Sequence, residues 1–180
     1  MGDTLMTVIA IFLAVILMFL FPMLSVSERA DDISQLAVET AVSNFVDNSR
    51  AIGKITIENY EQLVNALNAT GNSYDIEMEV KVLDENVGKK TAWTNGEVIG
   101  ENVYYSVYTS QILDTLLGNE DGSKAATDYL MKEGDIIACT VKNTNTTFSQ
   151  TLRSVFYSIS SNNAYQVGAE RSGMVTATGK

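Results

Sequence analysis

Residues 4 to 27 contain no charged side chain, and most of them are Leu, Ile, Val, Met, Phe or Ala. A hydrocarbon core about 30 Å thick needs about 20 apolar residues in a helix, so this run is long enough to cross one. Three interpretations compete: a cleavable signal peptide, a buried core helix and a membrane-inserted helix. The run has no preceding Lys or Arg and a poor cleavage site after it, and it lacks the polar face of a core helix. We therefore expect a single membrane-inserted helix.

The predicted helix continues beyond this run. From 28 to 52 the apolar side chains recur every three or four residues, which is typical of an amphipathic helix, and Gly53 is suited to end it. Pro22, the only proline, has no amide hydrogen to donate to the Met18 carbonyl. We expect a kink at Pro22.

The segment 54–180 predicts an α+β head with a mostly antiparallel sheet and short helices. A short helix begins after Thr56 and ends at Gly71, and the strict alternation of apolar and charged residues over 74–82 indicates a half-buried strand. Further predicted elements are strands over 98–108, 136–142 and 165–175, a helix over 110–117 and a helical turn over 125–131. Residues 148–158 are strand-like, and a helix is the alternative there. The chain thus divides into 1–27, a hydrophobic membrane or filament-core helix, 28–53, its amphipathic continuation, and 54–180, the head.

Composition disfavours several functions. The net charge is −10, and such an acidic chain is poorly suited to nucleic acid, whose binding depends on Lys and Arg. Histidine is absent, so neither a Ser-His-Asp nor a Cys-His arrangement can be built. Cys139 is the single cysteine, which excludes an internal disulfide and makes a zinc site improbable. We therefore predict no enzyme and assign no catalytic, cofactor-binding or metal-binding residue.

Small residues add a second property to the apolar helix. Ala10 and Ala14 have the small-xxx-small spacing that lets helices approach closely, and Thr7 extends that face by one turn. Lipid gives no hydrophobic gain for pairing such helices, whereas a filament core excludes water from them completely.

An apolar N-terminal helix with a proline near position 22, running into an amphipathic helix that carries a β-rich head, resembles the type IV pilins. Within that superfamily the chain is most similar to the Tad-type pseudopilins and minor pilins of bacteria. The resemblance implies a structural subunit of a surface filament. It also implies cleavage after Gly2, which leaves Asp3 as the first residue. The family usually has a Glu five residues into the mature helix, and Leu5 or Thr7 occupies that position here.

The resemblance further implies partners and location. The partners would be copies of the chain or other pilin-like subunits, together with an inner-membrane assembly platform and its ATPase. The subunit would be a single-pass membrane protein before assembly and part of an extracellular filament afterwards. We expect the filament-core contacts to come from one set of side chains: Leu5, Thr7, Val8, Ile9, Ala10, Phe12, Leu13, Ala14, Ile16, Leu17, Leu20, Phe21 and Leu24.

Two alternatives remain open on the sequence. One is a single-span accessory protein of a secretion or conjugation apparatus that never polymerises. The other is a membrane-tethered binding module, in which Tyr104, Tyr105 and Tyr108 form a platform for a ligand.

Overall fold

The computed structural model describes residues 2–84, 104–118, 125–147, 149–151 and 167–180. Its first element, helix α1, spans Gly2–Ile52 and is 51 residues long. At 1.5 Å per residue the helix extends for about 77 Å. The prediction that the apolar run and its amphipathic continuation form one helix is confirmed. Pro22 lies inside α1, and the helix continues on both sides of it. The kink at Pro22 stays a prediction.

The remaining described residues form an α+β head, which confirms the predicted fold class. The head elements follow one another in chain order: β1 Lys54–Ile55, α2 Ile57–Asn68, β2 Tyr74–Leu83, β3 Tyr104–Tyr108, α3 Thr109–Leu117, β4 Tyr129–Leu130, β5 Ile136–Asn143 and β6 Gly168–Met174.

Four of these strands form one antiparallel sheet in the order β3-β2-β5-β6. Met78 of β2 lies opposite Cys139 of β5, and both side chains are buried. Because side chains alternate along a strand, Glu77 and Glu79 point to the other, solvated face of the sheet. The apolar face of β2 therefore points into the core, as the alternation predicts.

Helix α1 covers the β5–β6 side of this sheet and also packs on α2. Its buried apolar residues are Val38, Val42, Phe45 and Val46, which recur at helical spacing on one face. Helix α3 lies against β2 and β3, at the other edge of the sheet. The amphipathic half of α1 is thus part of the core of the head.

The end of α1 is closed by distant parts of the chain. Gly53 has a φ of +73° and donates its N–H to the Ser49 carbonyl at 3.0 Å. Its own carbonyl accepts from the Met131 N–H at 2.8 Å, and the Arg50 carbonyl accepts from the Thr176 N–H at 3.0 Å. These bonds satisfy carbonyls that the end of a helix leaves without an intrahelical partner.

Several local predictions are confirmed within the described residues. The Asn59 N–H donates to the Thr56 hydroxyl at 3.2 Å, which makes Thr56 the N-cap of α2. Gly71 follows α2 with a φ of +77°, and Gly118 follows α3 with a φ of +73°. The strands predicted over 136–142 and 165–175 correspond to β5 and β6, and 165–166 lie outside the described residues. Of the strand predicted over 98–108, the part in β3 is confirmed and 98–103 lie outside the described residues.

The helical turn predicted over 125–131 is wrong. Residues 125–128 are irregular, and Tyr129–Leu130 pair with Lys54–Ile55 as a two-stranded antiparallel sheet. The Lys54 ammonium also binds the Asp128 carboxylate at 2.8 Å. Tertiary pairing with the segment after α1 therefore overrides the local helical preference.

For the strand-like segment 148–158 the structure selects the helical alternative where it describes the chain, because 149–151 are helical. Residues 148 and 152–158 lie outside the described residues. The Gln150 N–H donates to the Thr147 hydroxyl at 3.4 Å, and the Thr147 N–H donates to the Gln150 side chain at 3.1 Å. This reciprocal pair is a capping box, which begins a helix and not a strand.

Candidate functional site: the exposed apolar helix

The first half of α1 is almost entirely exposed in a single chain. No residue from Gly2 to Val26 is buried, and large apolar side chains such as Leu5 (65% exposed) and Phe12 (69% exposed) face outward. The most apolar 18-residue window has a mean hydropathy of 2.9. Soluble monomers rarely expose apolar patches larger than a few hundred Å², so a surface of this kind marks a membrane or protein contact.

Every residue of the predicted packing set lies on this exposed segment. Most of the set is exposed, whereas Leu20 and Leu24 are half-buried. Gly2, Asp3 and Pro22 are exposed as well. The structure brings these residues together as one continuous helical surface around the whole circumference of α1.

Two hydroxyl side chains near the ends of the apolar segment have partners within the helix. The Thr7 hydroxyl donates to the Asp3 carbonyl at 2.8 Å, and the Ser27 hydroxyl donates to the Met23 carbonyl at 2.9 Å. A hydroxyl without a partner would be costly in hydrocarbon or in a dry helix contact. Both ends of the apolar segment therefore carry hydroxyl groups that are already satisfied for a water-free environment.

The small residues lie on one side of this helix. Thr7, Ala10 and Ala14 are three and four residues apart and share a face, and Asp3 extends that face toward the N-terminus. Each of them is exposed, so the backbone on this face is open to close approach by another helix.

Polar contacts attach α1 to the head where the apolar segment ends. The Gln35 side chain donates to the Gly168 carbonyl at 2.7 Å and accepts from the Gly168 N–H at 2.9 Å. The Asp31 carboxylate accepts from the Thr147 hydroxyl at 2.9 Å and from the Ser149 hydroxyl. Apolar burial on α1 begins only at Val38. The helix is therefore held to the head first by hydrogen bonds and then, farther along, by core packing.

Cys139 lies in the core of the head. It is fully buried, and this burial raises the pKa of its thiol to about 12. A nucleophilic cysteine needs the opposite, an accessible thiol with a depressed pKa. This cysteine is a packing residue, as its apolar sequence neighbours predict.

The acidic side chains of β2 lie on the solvated face of the sheet. Glu77 accepts from the Lys142 ammonium at 3.0 Å, and Glu79 accepts from the Ser106 hydroxyl at 2.6 Å. The hydrogen bond and the charge of Glu77 raise the pKa of Lys142. These carboxylates form surface contacts between neighbouring strands.

The three tyrosines of β3 do not form a single platform. Tyr104 and Tyr108 lie opposite Leu83 and Glu79 of β2, whereas Tyr105 lies opposite Val82. Successive side chains on a strand point to opposite faces, so Tyr105 is separated from the other two. Strand alternation over 104–108 is the signal that separates them.

The attachment residues Asp31, Gln35 and Gly168 were not singled out from the sequence. Their contacts join positions more than 100 residues apart, and no local pattern carries such information. The Thr147–Gln150 capping box was readable in the sequence, because Thr is followed three residues later by Gln.

Comparisons with known proteins give no match: no protein-family model fits the chain, and searches of curated proteins and of solved structures find no significant similarity.

Proposed function

We propose that the chain is a non-enzymatic, pilin-like subunit of a bacterial surface filament that polymerises through residues 4–27. The observation that supports this most is the division of one continuous helix. Its first half is apolar and exposed on all sides, while its second half is built into the core of the head. An anchor needs only apolarity, whereas a subunit needs a helix that other subunits can surround and that holds the head at a fixed position.

Hydrophobic burial stabilises the proposed filament against dissociation into water. Each Å² of apolar surface removed from water contributes roughly 25 cal/mol, and α1 exposes apolar side chains around its whole circumference. Before assembly the same surface is covered by lipid, because α1 is long and apolar enough to cross a membrane. The gain specific to the filament then comes from close helix packing along the face of Thr7, Ala10 and Ala14.

The resemblance to Tad-type pilin-like proteins supplies the remaining parts of the proposal. The subunit is a single-pass membrane protein before assembly, and an inner-membrane platform with its ATPase extrudes it into a filament. Its partners are copies of itself or related subunits. Cleavage after Gly2 would leave Asp3 at the N-terminus, which mass spectrometry of the native subunit would detect.

The size of residue 14 tests the proposal. Ala14→Leu keeps the helix apolar and so preserves membrane insertion, but its bulk blocks close approach on the small face. Ala14→Ser is the matched control, since it retains a small side chain at the same position. Sheared surface material should contain filaments from the wild type and from Ala14→Ser, and none from Ala14→Leu.

Two measurements make this experiment decisive. Membrane fractionation should recover equal amounts of all three proteins, which separates an assembly defect from a failure of insertion. Wild-type protein that yields no filaments, or Ala14→Leu filaments as abundant as those of Ala14→Ser, would contradict the proposal.

A further inference from the structure

Among the described residues of the head, a cavity opens near the end of β2. It measures about 450 Å³ and lies where the end of β2 meets β3, α3 and β4. Small-molecule sites in proteins usually have volumes of about 300–1,000 Å³ and combine apolar walls with a few polar groups. This cavity has the size and the mixed lining of such a site.

Two aromatic side chains line the cavity. Tyr105 comes from the inner side of β3 and Tyr129 from β4. Burial raises the pKa of Tyr129, and the nearby Tyr105 and Asp135 act in the same direction. Tyr129 therefore keeps its proton at neutral pH and offers both a ring face and a hydroxyl donor.

Asp135 supplies a fixed acceptor in the same cavity. Its side chain is buried, and its two oxygens accept the Leu83 N–H at 2.8 Å and the Lys132 N–H at 2.7 Å. A carboxylate has about four acceptor positions, so each oxygen retains the capacity for one more donor. The backbone bonds hold the carboxylate in place before any ligand arrives.

The charge of the lining restricts the class of ligand. Two carboxylates, Asp84 and Asp135, face one ammonium, Lys132, which disfavours phosphate and other anions. A purely apolar ligand would offer no donor to the remaining acceptor positions of Asp135. A neutral molecule with several hydroxyl groups and one apolar face suits both the Asp135 carboxylate and the aromatic walls.

We propose that this cavity binds a neutral sugar, whose ring packs on Tyr105 and whose hydroxyl groups donate to Asp135. The Tyr129 hydroxyl and Lys132 supply donors for the remaining ring oxygens. Each contact is non-covalent, so the ligand leaves unchanged.

The position of the cavity gives the binding site its use. The cavity lies at the β2–β3 edge of the sheet, and its wall strand β4 pairs with Lys54–Ile55, directly after α1 ends. This part of the inference rests on the proposed function: if the apolar half of α1 forms the filament core, the cavity, near the other end of that helix, lies in the head outside the core, where surface glycans are accessible. Sugar binding itself does not depend on assembly.

Saturation-transfer NMR on the full chain, in a detergent without a sugar headgroup, tests the site. The probes are glucose, galactose, mannose, fucose, N-acetylglucosamine and N-acetylgalactosamine. At least one of them should bind saturably below about 10 mM. Tyr105→Ala should weaken that binding at least about tenfold, because it removes a wall of the cavity.

Tyr108→Ala is the matched control. Tyr108 is exposed on the same strand (59%, against 50% for Tyr105) but points to the other face of the sheet, so its removal should change affinity less than about twofold. Tyr129→Phe, which removes only a hydroxyl, should also weaken binding. No saturable binding of any probe, or equal losses in Tyr105→Ala and Tyr108→Ala, would overturn the inference.

Failure of this inference and failure of the proposed function are distinguishable. Ala14→Leu should lose filaments but bind the sugar as the wild type does, and Tyr105→Ala should lose the sugar but form normal filaments. Sugar binding by a chain that forms no filaments would support this inference and refute the proposed function.

Discussion

Two glycines with nearly the same backbone conformation allow a measurement of how much the contacts at the C-terminal end of α1 contribute to stability. Gly53 has a φ of +73° and Gly71 a φ of +77°, so Ala at either position pays a similar backbone cost of about 1 kcal/mol. Their surroundings differ. A Cβ at Gly71 meets nothing within 4 Å, whereas a Cβ at Gly53 overlaps the Ala177 carbonyl and lies 2.5 Å from the Gly179 nitrogen.

The extra cost at Gly53 follows from the backbone hydrogen bonds around this glycine that the clash would break. Three backbone bonds hold this region together: Met131 N–H to Gly53 carbonyl at 2.8 Å, Gly179 N–H to Met131 carbonyl at 3.0 Å, and Thr176 N–H to Arg50 carbonyl at 3.0 Å. At about 1 kcal/mol each, their loss adds about 3 kcal/mol. We expect Gly53→Ala to destabilise the head by about 4 kcal/mol and Gly71→Ala by about 1 kcal/mol.

Thermal unfolding in micelles measures the difference. The detergent keeps the apolar half of α1 helical, so near-UV circular dichroism of the tyrosines is the suitable signal; all eight lie in 54–180. At about 3 °C per kcal/mol for a head of this size, Gly53→Ala should melt about 9 °C below Gly71→Ala. Melting temperatures within about 2 °C of each other would refute the argument that the C-terminal segment closes the helix.

Two further predictions concern the attachment of the helix and the buried thiol. Gln35→Leu removes both hydrogen bonds to the Gly168 backbone and should lower the free energy of unfolding in urea by about 2 kcal/mol. Its control, Gln62→Leu on the exposed face of α2, should lower it by less than about 0.5 kcal/mol. Equal losses in the two variants would contradict the polar attachment of α1 to the head. Cys139 has a folded-state pKa near 12 against an ordinary value of 9.0, so its contribution to stability is complete below about pH 9 and is lost as the pH rises toward 12. The denaturant midpoint should fall between pH 8 and pH 11, and the fall should be smaller in Cys139→Ala, whereas an identical fall in both would contradict this reasoning.

The parts of the fold that the sequence predicts are those that local periodicity controls. The 3.6-residue pattern of α1, the alternation in β2 and the cap at Thr56 each depend on residues close together in the chain. β4 was missed because two residues become a strand only by pairing with Lys54–Ile55, far earlier in the chain. The capping box at Thr147 is local, and it favours the helix over the strand in a segment whose pattern fits both.

The candidate site divides in the same way. The apolarity of 4–27 is a property of the residues themselves, so their exposure in a single chain is predictable from composition. The partner of that surface is not, because a helix apolar on all sides fits lipid and other helices equally well. The cavity could not be predicted either, since Tyr105 and Asp135 meet through the pairing of β2 with β3 and β5, while Tyr129 is placed by the pairing of β4 with β1.

Because α1 is one unbroken helix, a shift of its apolar half along the helix axis is coupled to a rotation of the head about that axis. A flexible linker would uncouple the two. Each residue of a helix advances the chain by 1.5 Å and turns it by about 100°, and the Gln35–Gly168 contact prevents the head from rotating about the helix axis. If a neighbouring subunit contacted the apolar half one residue farther along, with the same helix face toward it, the head would therefore turn by about 100°, which is more than a quarter of a turn. The position of the apolar half along the helix axis therefore determines the direction in which the head, and any site on it, points.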